Sequence, residues 1–185
     1  MTFIAAISAL WILFYTYWFV SAIGVKKAVR ATPWWKGAAL RLLLVFVAVM
    51  LTRLLHIRHI LPVRPSSIAL NIFGIVLCVA GLAFAVWARV NLGRNWGTPM
   101  SLKEGHELVT TGPYRFVRHP IYTGILVATV GTGFVVNMVW LLFSAIICTY
   151  FVYSARTEER LMMQAFPDRY PEYKKRTNAL IPFVW

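Results

Sequence analysis

Residues 111–124 read TGPYRFVRHPIYTG, which places Arg115, Arg118 and His119 directly before Pro120 and a long apolar run. Proline suits the first turn of a helix, where its fixed φ is already helical and its missing N–H is not needed. A helix is therefore predicted to begin at Pro120 with His119 just outside it. The unpaired N–H groups of that first turn make an anion-binding end, which His119 and a nearby arginine reinforce. The second chemical feature is the doublet Glu158–Glu159, in a chain with only six acidic residues. If the helix before it continues past Tyr153, at least one of these carboxylates points back towards residues 111–124. A helix end that attracts anions, facing a carboxylate, has the polarity needed to hold a zwitterion. A plainer reading treats Arg115 and Arg118 as orientation charges, and the doublet as a solvated pair balanced by Arg156 and Arg160.

The elements that must position these residues follow from hydropathy. The chain has 185 residues, 59% hydrophobic and 14% charged, with a mean hydropathy of +0.67. Soluble domains run nearer 45–50% apolar and about 25% charged, so an all-α integral membrane protein is expected. Residues 1–25 and 65–88 carry no charge, and each can cross a hydrocarbon core that needs about 20 apolar residues. Ala38–Ile57 is a further span, with Arg41 and Arg53 near its ends, where long side chains snorkel. Ile121–Tyr153 is uncharged over a length of roughly 50 Å as one helix, too long for a core of about 30 Å. Asn137, behind Gly131 and Gly133, is the natural place for it to turn back as a hairpin.

Charge supports five spans. All but Arg53, Arg58 and Arg64 of the 19 Lys and Arg fall between spans one and two, between spans three and four, or after Tyr153. Five crossings put all three basic segments in the cytoplasm and the N-terminus outside, whereas a single fourth span would strand the basic tail outside. Residues 1–90 then hold three N-terminal spans, and residues 91–185 hold a cytoplasmic loop, the hairpin formed by spans four and five, and a C-terminal tail. Residues 157–176, TEERLMMQAFPDRYPEYKKR, read as a short amphipathic helix running into a proline-punctuated segment along the membrane surface. Trp34, Trp35, Trp87, Trp96 and Trp185 sit where interfacial anchors belong.

Several chemistries find no support. Cys78 and Cys148 lie inside apolar spans and read as small hydrophobes. His56 and His59 have arginines and no carboxylate near them, which argues against a metal site. There is no glycine-rich phosphate loop, no serine nucleophile elbow and no Cys–His pair. The net charge of +13 reflects orientation and attraction to anionic lipid headgroups, and no soluble basic domain suggests nucleic acid.

From about Asn91 onward the chain resembles the isoprenylcysteine carboxyl methyltransferases and their phospholipid methyltransferase relatives. HELVTTGPY, RHPIYTG, EER and YPEYKKR followed by LIP appear in that order. The resemblance implies S-adenosyl-L-methionine bound at the cytoplasmic mouth of spans four and five. His106, Glu107, Leu108 and Val109 would line the cofactor with Tyr114 beside them. His119, Pro120, Ile121 and Tyr122 would form the second wall, and Glu158 would take the cofactor ammonium or a hydroxyl, with Glu159 the adjacent alternative. It also implies an arginine that orients the acceptor carboxylate, for which Arg156 is the nearest match. The expected reaction is carboxyl O-methylation of a prenylated, lipid-like acceptor that enters from the bilayer. A carboxylate acceptor needs no general base, whereas an amine, as in phosphatidylethanolamine, would lose a proton to Glu159 or Tyr122. An NADPH-dependent sterol or enone reductase is the rival enzyme class, but its R-H-x-N-Y element reads RHPIY here. A non-enzymatic lipid-binding or assembly role is the alternative outside catalysis.

Overall fold

The computed structural model describes residues 2–23, 28–31, 67–97, 101–103, 105, 107–137 and 139–180. The span expected at Ala38–Ile57, His56, His59 and His106 lie outside them. The helices are α1 (Thr2–Ser21), α2 (Ile68–Leu92), α3 (Pro120–Val135), α4 (Val139–Ala165) and α5 (Arg169–Arg176). Tight 3₁₀ turns follow α2 (Gly93–Asn95) and precede α3 (Gly112–Arg115). The all-helical expectation meets one addition, an antiparallel ribbon of β1 (Ala28–Ala31) and β2 (Ser101–Lys103). These two short segments lie outside any helix, and pairing satisfies their backbone N–H and C=O groups.

Two of the helices, at Phe3–Ser21 and Ile68–Asn95, are long and apolar enough to cross a membrane. Most of both helices is not buried within the protein. Ile12, Leu13, Phe19, Phe73 and Val76 accordingly stand exposed, as lipid-facing side chains would. The apolar run after Pro120 is two helices, the first ending at Val135 and the second starting at Val139, on either side of Asn137. The legs are unequal. α3 is about 24 Å long, while α4 runs for about 40 Å, straight through TEERLMMQA. No helix breaker lies between Tyr153 and Ala165, so the expected separate amphipathic helix is instead the end of α4. Pro167 stops it, and α5 follows after a short turn.

α2 and α3 hold each other at backbone contact. A Cβ on Gly81 would lie 2.5 Å from the Gly124 carbonyl oxygen, and one on Gly74 would lie 2.6 Å from that of Gly131. Position numbers rise along one helix as they fall along the other, so the two run antiparallel. Small residues allow this approach, and close van der Waals packing then replaces the hydrophobic drive that lipid cannot supply. α1 joins through a polar pin within an apolar cluster of Ile7, Phe14, Cys78, Leu82, Ala85, Ala128 and Val135. The Trp11 indole donates to Thr132 Oγ1 at 2.9 Å, and that hydroxyl donates to the Ala128 carbonyl at 2.9 Å. Gly81→Ala should overpack the α2–α3 contact, with a loss of about 1–3 kcal/mol that thermal unfolding in detergent would read as a lowered Tm. An unchanged Tm would mean that the helices have room to part.

Candidate functional site

His119 caps α3 and Pro120 is its first residue, which brings Arg118, His119 and Tyr122 to the mouth of the hairpin. α4 returns beside them. Tyr122 stacks on Phe151 with ring centroids 4.4 Å apart, and its hydroxyl donates to Glu158 Oε1 at 2.5 Å. The His119 ring stacks on Tyr122 and sets Nδ1 3.3 Å from Glu158 Oε2.

The two adjacent glutamates occupy different environments. Glu159 is 8% exposed. It accepts hydrogen bonds from Arg118 Nε at 2.6 Å and Lys174 Nζ at 2.7 Å, and His119 Nε2 lies 3.6 Å away. Burial by itself would raise the Glu159 pKa, but its three cationic neighbours outweigh burial and hold it down at about 2. Burial pulls His119 the other way, yet the two carboxylates win and raise it above its usual range. A carboxylate so fully engaged makes a poor proton acceptor.

The same cluster ties down the tail. The Arg118 and His119 amides donate to the Asn178 and Ala179 carbonyls at 2.8 and 3.0 Å. The Arg118 guanidinium also reaches the Lys174 and Thr177 carbonyls, and Thr123 Oγ1 donates to the Leu180 carbonyl at 2.6 Å. Tyr173 donates to the Tyr114 carbonyl at 2.6 Å. α5 is thereby held over the hairpin mouth, with Tyr170 buried beneath it.

Between these parts lies a cavity of about 380 Å³, within the usual size for a small-molecule site. Of the residues expected from the sequence, Glu107, Leu108, Val109, Tyr114, His119, Ile121, Tyr122 and Glu158 line it. Pro120 is buried behind the wall. Glu159 belongs to the ion cluster beside the cavity. Arg156 is exposed on another face of α4, with Tyr153 and Arg160, so it does not meet the doublet at the cavity. Sequence reading missed an aromatic wall from α1, made of Trp11, Phe14, Tyr15 and Trp18, together with Trp96 from the turn after α2. It also missed Tyr150, Phe151, Met162, Tyr170 and Tyr173. The spacing of the α1 residues, i, i+3, i+4 and i+7, is one helical face and was there to be read. Trp96, expected as a membrane anchor, faces the cavity.

Fold and site together define a helical membrane protein with a half-open cavity at a hairpin mouth, polar at one end and aromatic along its sides. The sequence profile of the phospholipid methyltransferase family matches residues 70–169, and the chain belongs to that family. Protein-S-isoprenylcysteine O-methyltransferase B of Arabidopsis thaliana is 30% identical over 116 residues, covering 60% of this chain and 59% of that protein. The Schizosaccharomyces pombe protein-S-isoprenylcysteine O-methyltransferase is 35% identical over 101 residues, 52% of this chain and 43% of that one. The chain thus spans about half the length of these relatives. A solved structure of the eukaryotic intramembrane Ras methyltransferase ICMT matches with a TM-score of 0.52 at 20% identity, over 84% of this chain and 55% of that chain. At that identity the likeness is one of fold.

The ion cluster sets a pH dependence. Glu159, depressed from 4.5 to about 2, stabilises the fold above about pH 4.5, and that contribution is lost as pH falls towards 2. His119, raised from 6.5, contributes fully below 6.5, and its part is lost as pH rises through the elevated value. Thermal unfolding across pH should therefore show a decline as pH rises above 6.5 that His119→Gln flattens. An alkaline limb that survives in the variant would assign it to another group.

Proposed function

We propose that the chain is an S-adenosylmethionine-dependent integral membrane methyltransferase, and that it O-methylates the carboxylate of an isoprenylcysteine-type acceptor. The observation that carries this reading is the placing of Glu158, with Tyr122 and His119 on its two oxygens, at the polar end of an otherwise aromatic cavity. The residues present suit the cofactor. Glu158 presents a carboxylate at the cavity wall to an ammonium, and the aromatic side chains that line the cavity suit a sulfonium as cation–π partners. Residues 107–109 add backbone groups beside Tyr114. When bound, S-adenosylmethionine supplies a methyl group activated for displacement by an acceptor oxygen or nitrogen.

The chain's own task is to align the reactants and keep water out. Stacking of His119, Tyr122 and Phe151 fixes the mouth of α3 against α4, and the Tyr122 hydroxyl and His119 Nδ1 fix the Glu158 carboxylate. α5, held by Lys174 and Tyr173, covers the mouth. A carboxylate acceptor needs no proton removed, so neither Glu159 nor Tyr122 acts as a base in this reading. A low-dielectric cavity favours the collapse of an anion and a cation into neutral products.

The topology that goes with this reading has five spans, the N-terminus outside, and the site and C-terminus in the cytoplasm. α5 lies at the interface, where its exposed Lys174, Lys175 and Arg176 meet anionic lipid headgroups. The cofactor then enters from the cytoplasm and the lipid-like acceptor from the bilayer.

One observation favours an amine acceptor of the phosphatidylethanolamine type as a second reading. Among the described residues the only cationic side chains lining the cavity are Arg118 and His119, and both already face glutamates. Membranes incubated with methyl-labelled cofactor decide between them. Label released by mild base marks a methyl ester, and retained label an N-methyl product.

Calorimetric titration of the detergent-purified protein with S-adenosylhomocysteine tests the site. Glu158→Gln should weaken binding about 10- to 100-fold, the loss of a charged hydrogen bond worth about 1.5–3 kcal/mol, while Arg156→Ala binds as wild type does. Equal affinity in wild type and Glu158→Gln would remove the support for the assignment.

A further inference from the structure

Arg89 is a buried charge that the proposed chemistry does not use. It lies near the end of α2 and is 4% exposed. An ionisable side chain buried in an apolar span is costly unless its surroundings compensate for it, and such residues tend to serve a function. Here three groups compensate. One guanidinium nitrogen donates to the Gly93 carbonyl at 2.8 Å, and another donates to the Ser21 carbonyl. These oxygens lie at the C-terminal ends of α2 and α1, where the helix dipoles are negative. The guanidinium carbon also lies 4.6 Å from the centroid of the Trp96 ring.

The loop is built to make that third contact. Gly93 caps α2 with φ +54°, a left-handed conformation that favours glycine. The chain then turns tightly through Gly93–Asn95, and the Trp96 amide donates back to the Gly93 carbonyl at 3.3 Å. Trp96 thereby folds over Arg89. Trp96 in turn meets Trp18 edge to face with centroids 5.5 Å apart, and Trp18 contacts Phe14 at 5.0 Å. All three aromatic residues line the cavity, whereas Arg89 does not.

Resting on the methyltransferase reading, we propose that Arg89 is a positioning residue that sets the acceptor-side wall of the cavity. It fixes the cytoplasmic end of α1 and the Trp96 ring in one register, so that Trp96, Trp18 and Phe14 present a continuous aromatic surface to the apolar part of the acceptor. The cofactor side is built from other segments: residues 107–109 and the mouth of α3 and α4. The Trp11–Thr132 hydrogen bond holds the middle of α1 independently. Loss of Arg89 should therefore disturb Trp96 and Trp18, leave Trp11 in place, and weaken the acceptor while sparing the cofactor. Lysine keeps the charge, but it has no planar fork to bridge two carbonyls and stack on an indole.

The test uses the full chain in detergent micelles in two arms. In the first, protein labelled with 5-fluorotryptophan is compared by ¹⁹F NMR as wild type, Arg89→Lys and Arg89→Met, with no ligand present. The Trp96 and Trp18 resonances should shift while that of Trp11 stays put; unmoved Trp96 and Trp18, or equal shifts at all three, would overturn the positioning role. In the second, N-acetyl-S-farnesylcysteine is titrated calorimetrically against protein saturated with S-adenosylhomocysteine. Arg89→Met should bind the acceptor about tenfold more weakly and Arg89→Lys should fall between it and wild type, both with S-adenosylhomocysteine affinity within about threefold of wild type. The double variant Arg89→Met/Trp96→Leu should be no weaker than the worse single variant, since residues in contact couple non-additively. Wild-type acceptor affinity in Arg89→Met, or losses that multiply in the double variant, would refute the proposal. If Arg89→Met does not purify as a monodisperse species, Arg89→Lys with Trp96→Leu supplies the same cycle. A wild-type protein that binds neither ligand would instead refute the methyltransferase reading, and the fluorine spectra would then decide the role of Arg89 alone.

Discussion

The buried carboxylate of Glu159 is the constraint on which the site depends. It lies where three separate segments meet: the loop before α3, α4, and α5. It holds them through Arg118, Lys174 and His119. A buried ion cluster of this kind adds little stability compared with a well-packed apolar one, but removing one member leaves an uncompensated charge, at a cost of about 3–5 kcal/mol. Its main effect is therefore specificity of arrangement. With Glu159 occupied, Arg118 and His119 can take only one place, and the parallel bridge from Val117 to Asn178 follows from it.

Adjacent residues then do opposite work. Glu159 is saturated by cations and closes the hairpin mouth onto the tail. Glu158, one residue earlier and turned about 100° around the helix, faces the cavity with one oxygen on Tyr122 and the other near His119. His119 lies between the two glutamates and couples the structural ion cluster to the carboxylate that faces the cavity. On the far side of the cavity α1 contributes only aromatic surface, and two polar ties join it to the rest of the fold, Trp11 to Thr132 at its middle and the Ser21 carbonyl to Arg89 at its C-terminal end. A polar end and an aromatic interior suit a charged ligand group and an apolar one approaching from different directions.

Much of this was legible in the sequence because the signals were local. Pro120 announces the start of α3, Asn137 behind two glycines marks the turn, and the acidic doublet stands out in a chain poor in acid. Hydropathy marks α1 and α2 directly. The different roles of Glu158 and Glu159 were not legible, because they depend on which carboxylate Lys174 reaches from α5, a contact between residues far apart in sequence. Arg156 invited a role through its nearness to the doublet, but two residues along a helix is about 200° of rotation, which turns it to another face. The length of α4 was understated because residues 157–165 were read as part of a separate amphipathic helix. The charges there end only its apolar part; Pro167 ends the helix. The roles of Trp96 and Arg89 were not legible either, since they depend on a loop that folds back on the end of α2.

Hydrogen exchange followed by mass spectrometry on Glu159→Gln tests the central claim most directly. If Glu159 closes the mouth of the hairpin onto the tail, the Arg118 and His119 amides, bonded to Asn178 and Ala179, should lose protection together with residues 170–180, while α2 and the buried turns of α3 keep theirs. Protection of those two amides that is the same in variant and wild type would contradict the account.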